Sequence, residues 1–378
     1  MRVADPAAWR DAREILAVRL DSIGDVLMTT PAMRAIRDSA RRARLTLLTS
    51  PAGAAVARHV PEIDDVIVYE PPWMKHSKRH DAVEDLAAIA EVRSRGFDAA
   101  VVFTVHTQSA LPAALFLYLA GVPLRLAHAR ENPYDLLTDW VPEPELDEPT
   151  RHEVRRQLDL VAALGYTTDE EHLSFRVPDV AMRLVRDEVL PAAGIALGRP
   201  WVVMSPGATA PSRRWRPSGF AEVATRLAVE DGWPIVLTGS SDEIDLVETV
   251  RAQTEAPVVS LAGQLDLAEL AALLAVAPLL VSSNSGPVHL AAAVATPVVD
   301  VYALTNLQHT PWQVPNRVLS HDVPCRGCRR SICPLGHHAC LELVTPDQVV
   351  AAARELMAET TGETPSAGER ASLEAVSA

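Results

Sequence analysis

An apolar run that ends in a short acidic turn and leads into a helical pattern constrains the fold of this chain most. The run at 15–20 stops at the turn 21–25, after which Val26, Met33 and Ile36 recur at helical spacing. A short apolar run bounded by a turn predicts a strand buried on both faces, and strand–turn–helix units build parallel α/β sheets. We therefore expect an open, doubly wound sheet.

The same alternation of apolar runs and helical patterns continues in both halves of the chain. Strand candidates in the first half are 15–20, 45–49, 66–69, 99–105 and 124–127. Those in the second half are 201–204, 234–238, 258–261, 279–281 and 298–302. Because 378 residues exceed the usual size of a single core, we predict two doubly wound, Rossmann-like α/β domains that face a central cleft.

Composition places the boundaries of these domains. Residues 131–150 are rich in proline and acidic residues and are expected to connect elements, as is 166–178. We predict an N-terminal domain at 13–178, a C-terminal domain at 179–344 and a helix at 345–357 that packs back on the first domain. The remainder, 358–378, is dominated by Glu, Thr, Ser, Gly and Ala and is expected to be a disordered tail.

Charge and hydropathy exclude several classes of protein. The net charge of −14 disfavours a nucleic-acid-binding protein, because neutralising phosphates needs a basic surface. No apolar run reaches the length of about 18 residues that spans a bilayer. The first fourteen residues are polar and lack the apolar centre of a secretory signal. We expect a cytoplasmic protein that at most contacts the inner face of the membrane peripherally.

Asp25 is the first candidate for chemistry, because the turn places it at a helix N-terminus near the carboxyl end of a strand. Open α/β sheets bind ligands at that edge, and the helix dipole favours an ionised carboxylate there. Such a carboxylate can accept the proton of a hydroxyl substrate. Ser22 and Asp25 also have the spacing of a capping box, which stabilises a helix start without any chemistry. Both interpretations are carried forward.

Two turns in the second half have the chemistry of anion sites. The turn at 205–215 combines small residues with Arg213 and Arg214, and the turn at 283–289 offers hydroxyl, amide and helix N-terminal N–H groups. Two such turns on one sheet edge suit a diphosphate, although each is also an ordinary helix cap. The chain contains no Gly-x-Gly-x-x-Gly and no Walker-type motif, which disfavours a dehydrogenase or a P-loop ATPase.

Four motifs together resemble those of glycosyltransferase family 9, the family of the heptosyltransferases of lipopolysaccharide inner-core assembly. They run in the family's order between residues 14 and 356. They are Ser22-Ile23-Gly24-Asp25 with Thr30-Pro31-Ala32; Pro206-Gly207-Ala208 with Ser212-Arg213-Arg214-Trp215; Leu237-Thr238-Gly239 with Glu243; and Asn284-Ser285-Gly286-Pro287-Val288-His289 with Thr296-Pro297.

The resemblance implies a GT-B fold and an inverting sugar transfer that requires no metal and no other cofactor. It assigns the acceptor to the N-terminal domain and the nucleotide-sugar donor to the C-terminal domain. Asp25 is then the general base on the acceptor hydroxyl. The residues implied at the donor site are Thr209, Arg213, Gly239, Glu243, Asn284, Ser285, Gly286 and His289. This chain departs from the family at Arg213, which is usually lysine, and at Asn284, where many members have aspartate.

The expected substrates follow from the same resemblance. We expect a monomeric enzyme that moves a heptose or related sugar from an ADP-linked or other nucleotide-linked donor to a glycolipid or glycan hydroxyl. A nucleotide-sugar epimerase of the same fold is the enzymatic alternative, and it would need a base acting on the sugar itself. A non-catalytic nucleotide-sugar-binding protein is the other alternative.

Two further clusters of residues each allow more than one role. The basic and aromatic segment 71–80 contains Trp73, Lys75, Lys78 and Arg79, which suit an anionic acceptor or simply form a solvated loop. Cys325, Cys328, Cys333 and Cys340 lie within sixteen residues that also contain His337 and His338. Their spacing lacks the paired Cys-x2-Cys blocks of a zinc ribbon. Metal binding, free thiols and disulfides all stay open for them, and no metal ligand is assigned.

Overall fold

The computed structural model describes residues 6–75, 81–145 and 151–361 of the chain. The chain divides into two compact units, with the boundary between Arg176 and Val177, two residues before the boundary expected from composition. Each unit is built on a parallel sheet of six strands. The predicted pair of doubly wound α/β domains is confirmed.

The first unit has the strand order β3-β2-β1-β4-β5-β6. Its strands are β1 (Glu14–Arg19), β2 (Arg44–Thr49), β3 (Asp65–Val68), β4 (Ala99–Val102), β5 (Leu124–Ala129) and β6 (Asp139–Pro142). Its helices are α1 (Pro6–Asp11), α2 (Ile23–Ser39), α3 (Pro51–Ala57), α4 (Ala82–Arg95), α5 (Leu111–Leu119) and α6 (Glu153–Ala162). Because the strand order reverses between β1 and β4, the loops after these two strands form the topological switch point of the sheet.

Helix α2 begins at Ile23, close to the helix start that the sequence predicted at the turn 21–25, and it continues through Pro31. Proline has no N–H, so the carbonyl of Leu27, one turn earlier, loses its helical partner. The hydroxyl of Thr30 donates to that carbonyl at 2.7 Å. The helix therefore tolerates the proline. Because α2 already begins at Ile23, Asp25 lies in its first turn.

The second unit has the order β12-β11-β10-β7-β8-β9, which is the arrangement of the first unit again. Its strands are β7 (Val202–Ser205), β8 (Ile235–Leu237), β9 (Val259–Ser260), β10 (Leu280–Ser283), β11 (Val298–Val301) and β12 (Asn316–Leu319). Its helices are α7 (Asp179–Leu184), α8 (Leu190–Ala192), α9 (Pro217–Val229), α10 (Ile244–Gln253), α11 (Leu267–Val276), α12 (Gly286–Ala293), α13 (Ala339–Glu342) and α14 (Pro346–Thr361). A π-helical turn, Val185–Val189, joins α7 to α8. The switch point of this sheet lies after β7 and β10.

The last helix, α14, is a structural part of the second unit. It contacts α9, β11 and β12, and Val349, Ala353 and Leu356 are wholly buried in the core that those elements share. From the sequence, this helix was expected to pack back on the first domain, but its apolar face lies in the core of the second unit. The helix also extends to Thr361, past the residue where the tail was predicted to begin, and 362–378 lie outside the described residues.

The sequence did not predict β6 and β12, the outermost strands that lie beside β5 and β11. Residues 131–150 were expected to connect elements, but they contain a short 3-10 helix, Tyr134–Leu136, and β6. In β6 only Asp139 is buried, and no residue of β12 is, so neither edge strand has an apolar run. No helix in the described ranges is long and apolar enough to cross a membrane.

Candidate functional site

Asp25 lies at the switch point of the first unit, in the first turn of α2. Its Oδ2 accepts hydrogen bonds from the backbone N–H of Ser22 at 3.1 Å and from the Ser22 hydroxyl at 2.6 Å. The capping interaction predicted from the spacing is therefore present. The carboxylate is 13% exposed, so capping leaves it within reach of a ligand.

Arg19, the last residue of β1, binds three carboxylates at once. Its Nη2 lies 3.1 Å from Asp25 Oδ1, its Nε lies 3.1 Å from Asp21 Oδ2, and its Nη1 lies 3.1 Å from Glu153 Oε1. The guanidinium is wholly buried. Its planar fork suits this task, since each edge can meet a separate carboxylate. Asp25 is thus held in place from one side by Arg19 and from the other by Ser22.

The charge balance around Arg19 is acidic, because three carboxylates share one guanidinium. Burial alone would lower the pKa of Arg19, but the carboxylates of Asp21, Asp25 and Glu153 raise it, so the guanidinium stays charged. Burial raises the pKa of Asp21 to about 6; Arg19 opposes this shift, and the neighbouring carboxylates of Asp25 and Glu153 add to it. Gln108 supports Asp21 by donating to its Oδ1 at 2.6 Å.

A second buried ion cluster is connected to the first through Glu153. Arg156 approaches Glu153 at 3.5 Å and donates from Nε to Glu143 Oε2 at 2.8 Å. The Nδ1 of His106 lies 3.4 Å from the other oxygen of Glu143. Burial lowers the pKa of His106 and lowers that of His128 to about 4, so both imidazoles are neutral at pH 7 and Glu143 is balanced by Arg156. This cluster fixes the start of α6 against the ends of β4, β5 and β6.

In the second unit, hydroxyl groups tie the loops after β7 and β10 together. Ser282 Oγ donates to the carbonyl of Ser205 at 3.0 Å, and Ser283 Oγ donates to that of Pro206 at 3.1 Å. The backbone N–H of Trp215 donates to Ser283 Oγ at 3.3 Å. The two turns that the sequence predicted as anion sites therefore lie side by side at one sheet edge.

The two arginines of the loop after β7 have different surroundings. Arg214 Nε donates to the carbonyl of Ala208 at 2.7 Å and so braces the loop. Arg213 follows the residue that anchors the loop, since Ser212 Oγ donates to the carbonyl of Arg330 at 2.7 Å. The Arg213 side chain makes no hydrogen bond or ion pair within the described ranges. Of the two, Arg213 is the one available to an anion, and Thr209 is exposed in the same loop.

Glu243 reaches the loop after β7 from the end of β8. A Cβ atom on Gly207 would lie 2.1 Å from Glu243 Oε1, so only glycine leaves room for the carboxylate there. The other oxygen of Glu243 accepts from the backbone N–H of Ser240 at 3.0 Å. Gly239 is also closely packed, because a Cβ atom there would lie 2.8 Å from Val247 Cγ2. Glu243 therefore forms a capping box with Ser240, and its carboxylate also borders the loop that the sequence predicted as an anion site.

The loop after β10 places Asn284 and Ser285 immediately before helix α12, which begins at Gly286. Asn284 is buried and donates from Nδ2 to Asp300 Oδ2 at 3.0 Å and to the carbonyl of His309 at 3.0 Å. His289 is buried on α12, and its ring meets that of His309 edge-on with centroids 6.4 Å apart. Every predicted donor residue except Thr209, which lies at the loop's surface, is half-buried or buried at this edge.

The predicted acceptor residues are only partly described. Trp73 is 36% exposed and packs edge-on against Tyr69 and Phe116. Lys75 lies two residues further on, and Lys78 and Arg79 lie outside the described residues. The acceptor role of this segment stays a prediction.

The cysteine-rich segment supports the loop that contains Arg213. All four cysteines are free thiols, half-buried around a small cavity that Ser212 also borders. Burial alone would raise the pKa of Cys333, but backbone N–H groups from His338 and its neighbours lower it. Among the residues that the structure describes, no three His, Cys, Asp or Glu side chains are arranged to hold a metal ion.

Several residues of these sites were missed from the sequence. Arg19 is bonded to Glu153, and Asn284 is bonded to Asp300 and His309. These partners are distant in sequence, so only the folded chain brings them together. One signal was present: Arg19 and Asp300 are charged residues inside otherwise apolar strand runs. A buried charge of this kind indicates a partner or a function.

Comparison with known proteins assigns the family. The model of glycosyltransferase family 9 (heptosyltransferase) matches residues 86–339. Lipopolysaccharide heptosyltransferase 3 of Escherichia coli is 25% identical over 299 residues, covering 77% of this chain and 83% of that protein. Lipooligosaccharide heptosyltransferase 2 of Campylobacter jejuni is 28% identical over 165 residues, covering 42% of this chain and about half (52%) of that protein.

Solved structures agree on the fold. A glycosyl transferase family 9 protein from Veillonella parvula superposes with a TM-score of 0.78 at 22% identity, covering 92% of this chain and 98% of that one. The ADP-heptose lipopolysaccharide heptosyltransferase II of E. coli gives a TM-score of 0.71 at 22% identity, covering 92% and 99%. The two units are the Rossmann-like halves of a GT-B fold, as the resemblance implied. Since the family model covers well over half of the sequence, the chain belongs to glycosyltransferase family 9, the heptosyltransferase family.

Proposed function

We propose that this protein transfers a heptose, or a related sugar, from an ADP-linked donor to a hydroxyl group of a glycolipid or glycan, with inversion at the anomeric carbon. The observation that carries the proposal is the environment of Asp25, a reachable carboxylate fixed by Arg19 and Ser22 at the switch point of a Rossmann-like sheet. Family membership supports sugar transfer, and the heptosyltransferase relatives support a role in lipopolysaccharide assembly.

The proposed reaction is a single displacement. The acceptor oxygen attacks the anomeric carbon, the bond from that carbon to the diphosphate oxygen breaks, and Asp25 takes the hydroxyl proton. Arg19 does not fully neutralise Asp25, because Asp21 and Glu153 share the same guanidinium. Asp25 therefore keeps negative charge with which to attract the proton.

The charge that develops on the departing diphosphate needs compensation from the second unit. Arg213 supplies a guanidinium whose side chain makes no hydrogen bond or ion pair within the described ranges, and the first turn of α12, after Ser285, supplies backbone N–H groups. The hydroxyl bonds of Ser282 and Ser283 to the carbonyls of Ser205 and Pro206 hold together, before the reaction, the two loops that carry these donors. Preorganised donors of this kind typically contribute about 10²–10³ in rate each.

The donor residues are proposed from this geometry and from the resemblance together. We propose that Glu243 binds the ribose side of the nucleotide, since it borders the loop that would hold the diphosphate. Asn284, Ser285 and His289 would contact the sugar and its phosphate. The monomeric state, the independence from metal and the peripheral membrane contact stay predictions.

Two measurements on the wild-type protein test the proposal. Calorimetry with ADP, UDP and GDP is expected to favour ADP clearly. Incubation with ADP-heptose and heptose-deficient lipopolysaccharide is expected to release ADP and to give an anomeric configuration opposite to that of the donor. Conversion of the nucleotide sugar without any acceptor would point to an epimerase, and binding without turnover would point to a non-catalytic protein; either result contradicts the proposal.

A further inference from the structure

The side-chain amide of Asn284 has a single orientation. Its nitrogen faces the carbonyl oxygen of His309 and the carboxyl oxygen Oδ2 of Asp300, each at 3.0 Å. A backbone carbonyl can only accept a hydrogen bond, so the atom that faces His309 must be the nitrogen and not the oxygen. Both amide hydrogens are thereby used.

The remaining polar atom of this side chain is its oxygen, Oδ1. It accepts no hydrogen bond from any residue in the described ranges. The side chain stands immediately before the N-terminus of α12, beside Ser285. An oxygen held in this way can only accept, so it suits a hydroxyl group and not a second acceptor.

The buried carboxyl of Asp300 is energetically unfavourable at its position. It lies in β11 beside Ser282 of β10, is wholly buried, and its Oδ1 has no hydrogen-bond partner in the described structure. Burial raises its pKa to about 8, with the Asn284 amide opposing the shift. A buried carboxyl with an unsatisfied oxygen lowers stability, so its presence is better explained by what it does to Asn284 than by the stability of the strand.

We propose that Asp300 is a positioning residue of the donor site: it holds the amide of Asn284 so that Oδ1 accepts a hydrogen bond from a hydroxyl group of the donor's sugar. This inference rests on the proposed function. It predicts that Asp300 matters for the sugar part of the donor and not for the nucleotide part, because Arg213 and Glu243 lie on other loops of the unit.

The test compares the affinities of ADP and ADP-heptose, measured by calorimetry. D300L, which removes the acceptor for the amide, is expected to weaken ADP-heptose binding at least tenfold while ADP binding stays within twofold of wild type. D300N keeps an oxygen that can accept from the amide and is expected to recover most of the ADP-heptose affinity. V298A, a buried change on the same strand that does not touch Asn284, is the matched control and should affect neither ligand.

The outcomes separate this inference from the proposed function. If wild-type protein binds neither ADP nor ADP-heptose, the proposed function itself is contradicted, and the inference with it. If wild type binds both and D300L weakens both equally, or weakens neither, only the positioning role is overturned.

If D300L does not fold, a second pair of variants tests the same inference. At pH 9, where the Asp300 carboxyl is ionised, N284D places a second carboxylate against it and against the His309 carbonyl, so the variant is expected to weaken ADP-heptose binding at least tenfold. N284D/D300N gives that carboxylate an amide donor and is expected to recover part of the loss. Equal ADP-heptose affinity in the single and double variants would overturn the inference.

Discussion

At the scale of single residues, the two sites depend on ionisable side chains placed inside strands. Arg19 ends β1 and Asp300 lies within β11, and both are wholly buried. Each holds another residue: Arg19 holds Asp25, and Asp300 holds Asn284. Because a buried ionisable group destabilises a fold unless it is paired or hydrogen-bonded, such residues are expected to influence stability and ligand binding together.

Removing the Arg19 guanidinium is predicted to destabilise the first unit strongly. R19M leaves Asp21, Asp25 and Glu153 without their shared cation, and breaking a buried ion pair from one side costs about 3–5 kcal/mol. Denaturant unfolding measures this loss. R95M, which breaks the half-exposed pair of Arg95 with Asp65, is the control and should cost less than about 1 kcal/mol. Equal effects of the two variants would show that the Arg19 cluster is not a buried network.

The carboxyl of Asp300 is predicted to make stability depend on pH. Burial raises its pKa from 3.8 to about 8, so between these values the folded chain binds more protons than the unfolded chain. Stability from this group is complete below pH 4 and is lost as pH rises through about 8. D300N lacks this titration, so its melting temperature should gain on wild type as pH increases from 5 to 9. Parallel melting curves across that range would contradict the assignment.

At the scale of elements, helix α2 shows how local chemistry positions the candidate base. Its first turn carries Asp25, and its interior tolerates Pro31 because Thr30 satisfies the carbonyl of Leu27. Thr30 Oγ1 also accepts from the buried N–H of Ser174 at 2.9 Å. One hydroxyl therefore satisfies two backbone groups, the Leu27 carbonyl that Pro31 leaves without its helical partner and the Ser174 N–H from the connection after α6.

Thr30 is predicted to be more important for stability than its neighbour Thr29. T30V leaves the Leu27 carbonyl and the Ser174 N–H unsatisfied, and each buried unsatisfied group costs about 1–3 kcal/mol. T29V is the matched control, since both threonines are wholly buried on α2 and Thr29 bonds only the carbonyl of Asp25. Thermal unfolding of both variants measures the difference. The P31A variant restores an N–H donor for the Leu27 carbonyl, so in that background T30V should lower the unfolding free energy by less. An unchanged loss of stability would refute this explanation.

The sequence predicted the central elements better than the outer ones, for a physical reason. Strands such as β1 and β7 are covered by helices on both faces, so burial produces continuous apolar runs. The edge strands β6 and β12 are largely half-buried or exposed and leave no such run. The local site residues Asp25 and Asn284 were found because a strand end and a helix start are encoded nearby. Glu153 and His309 were not, because only the fold brings them to Arg19 and Asn284.

At the scale of the whole molecule, each unit has its own sheet, its own core and its own switch point with candidate site residues. The second unit includes the last helix of the described chain, since α14 buries Val349, Ala353, Leu356 and Met357 in its core. Helix α14 is therefore needed for the second unit to fold, even though no candidate site residue lies on it.

Truncation is predicted to separate α14 from the residues that follow it. A chain ending at Thr345 loses several large buried side chains, each contributing about 1.5–3 kcal/mol, which together approach the whole stability of a typical domain. Circular dichroism should show loss of a cooperative transition. A chain ending at Thr361 should melt as the full chain does. A shorter chain that keeps every unfolding transition of the full chain would show that α14 is not part of the core.

Capping and catalysis by Asp25 can be separated with Ser22. S22A removes the hydroxyl that donates to Asp25 Oδ2 but keeps the carboxylate and its contact with Arg19. Loss of a helix cap costs about 1 kcal/mol, so S22A is expected to lower the unfolding free energy by that amount and to retain turnover. A variant that folds normally but is as inactive as one lacking the carboxylate would assign the chemistry to Ser22 instead.

The most direct measurement is the rate of ADP release from ADP-heptose in the presence of heptose-deficient lipopolysaccharide, for wild type and D25N. Asparagine keeps the shape of the side chain but cannot accept the proton. General-base catalysis typically contributes about 10²–10⁴ in rate, so D25N should lose at least a hundredfold while its calorimetric affinity for ADP-heptose stays within twofold. A D25N protein that transfers the sugar at the wild-type rate would contradict the account.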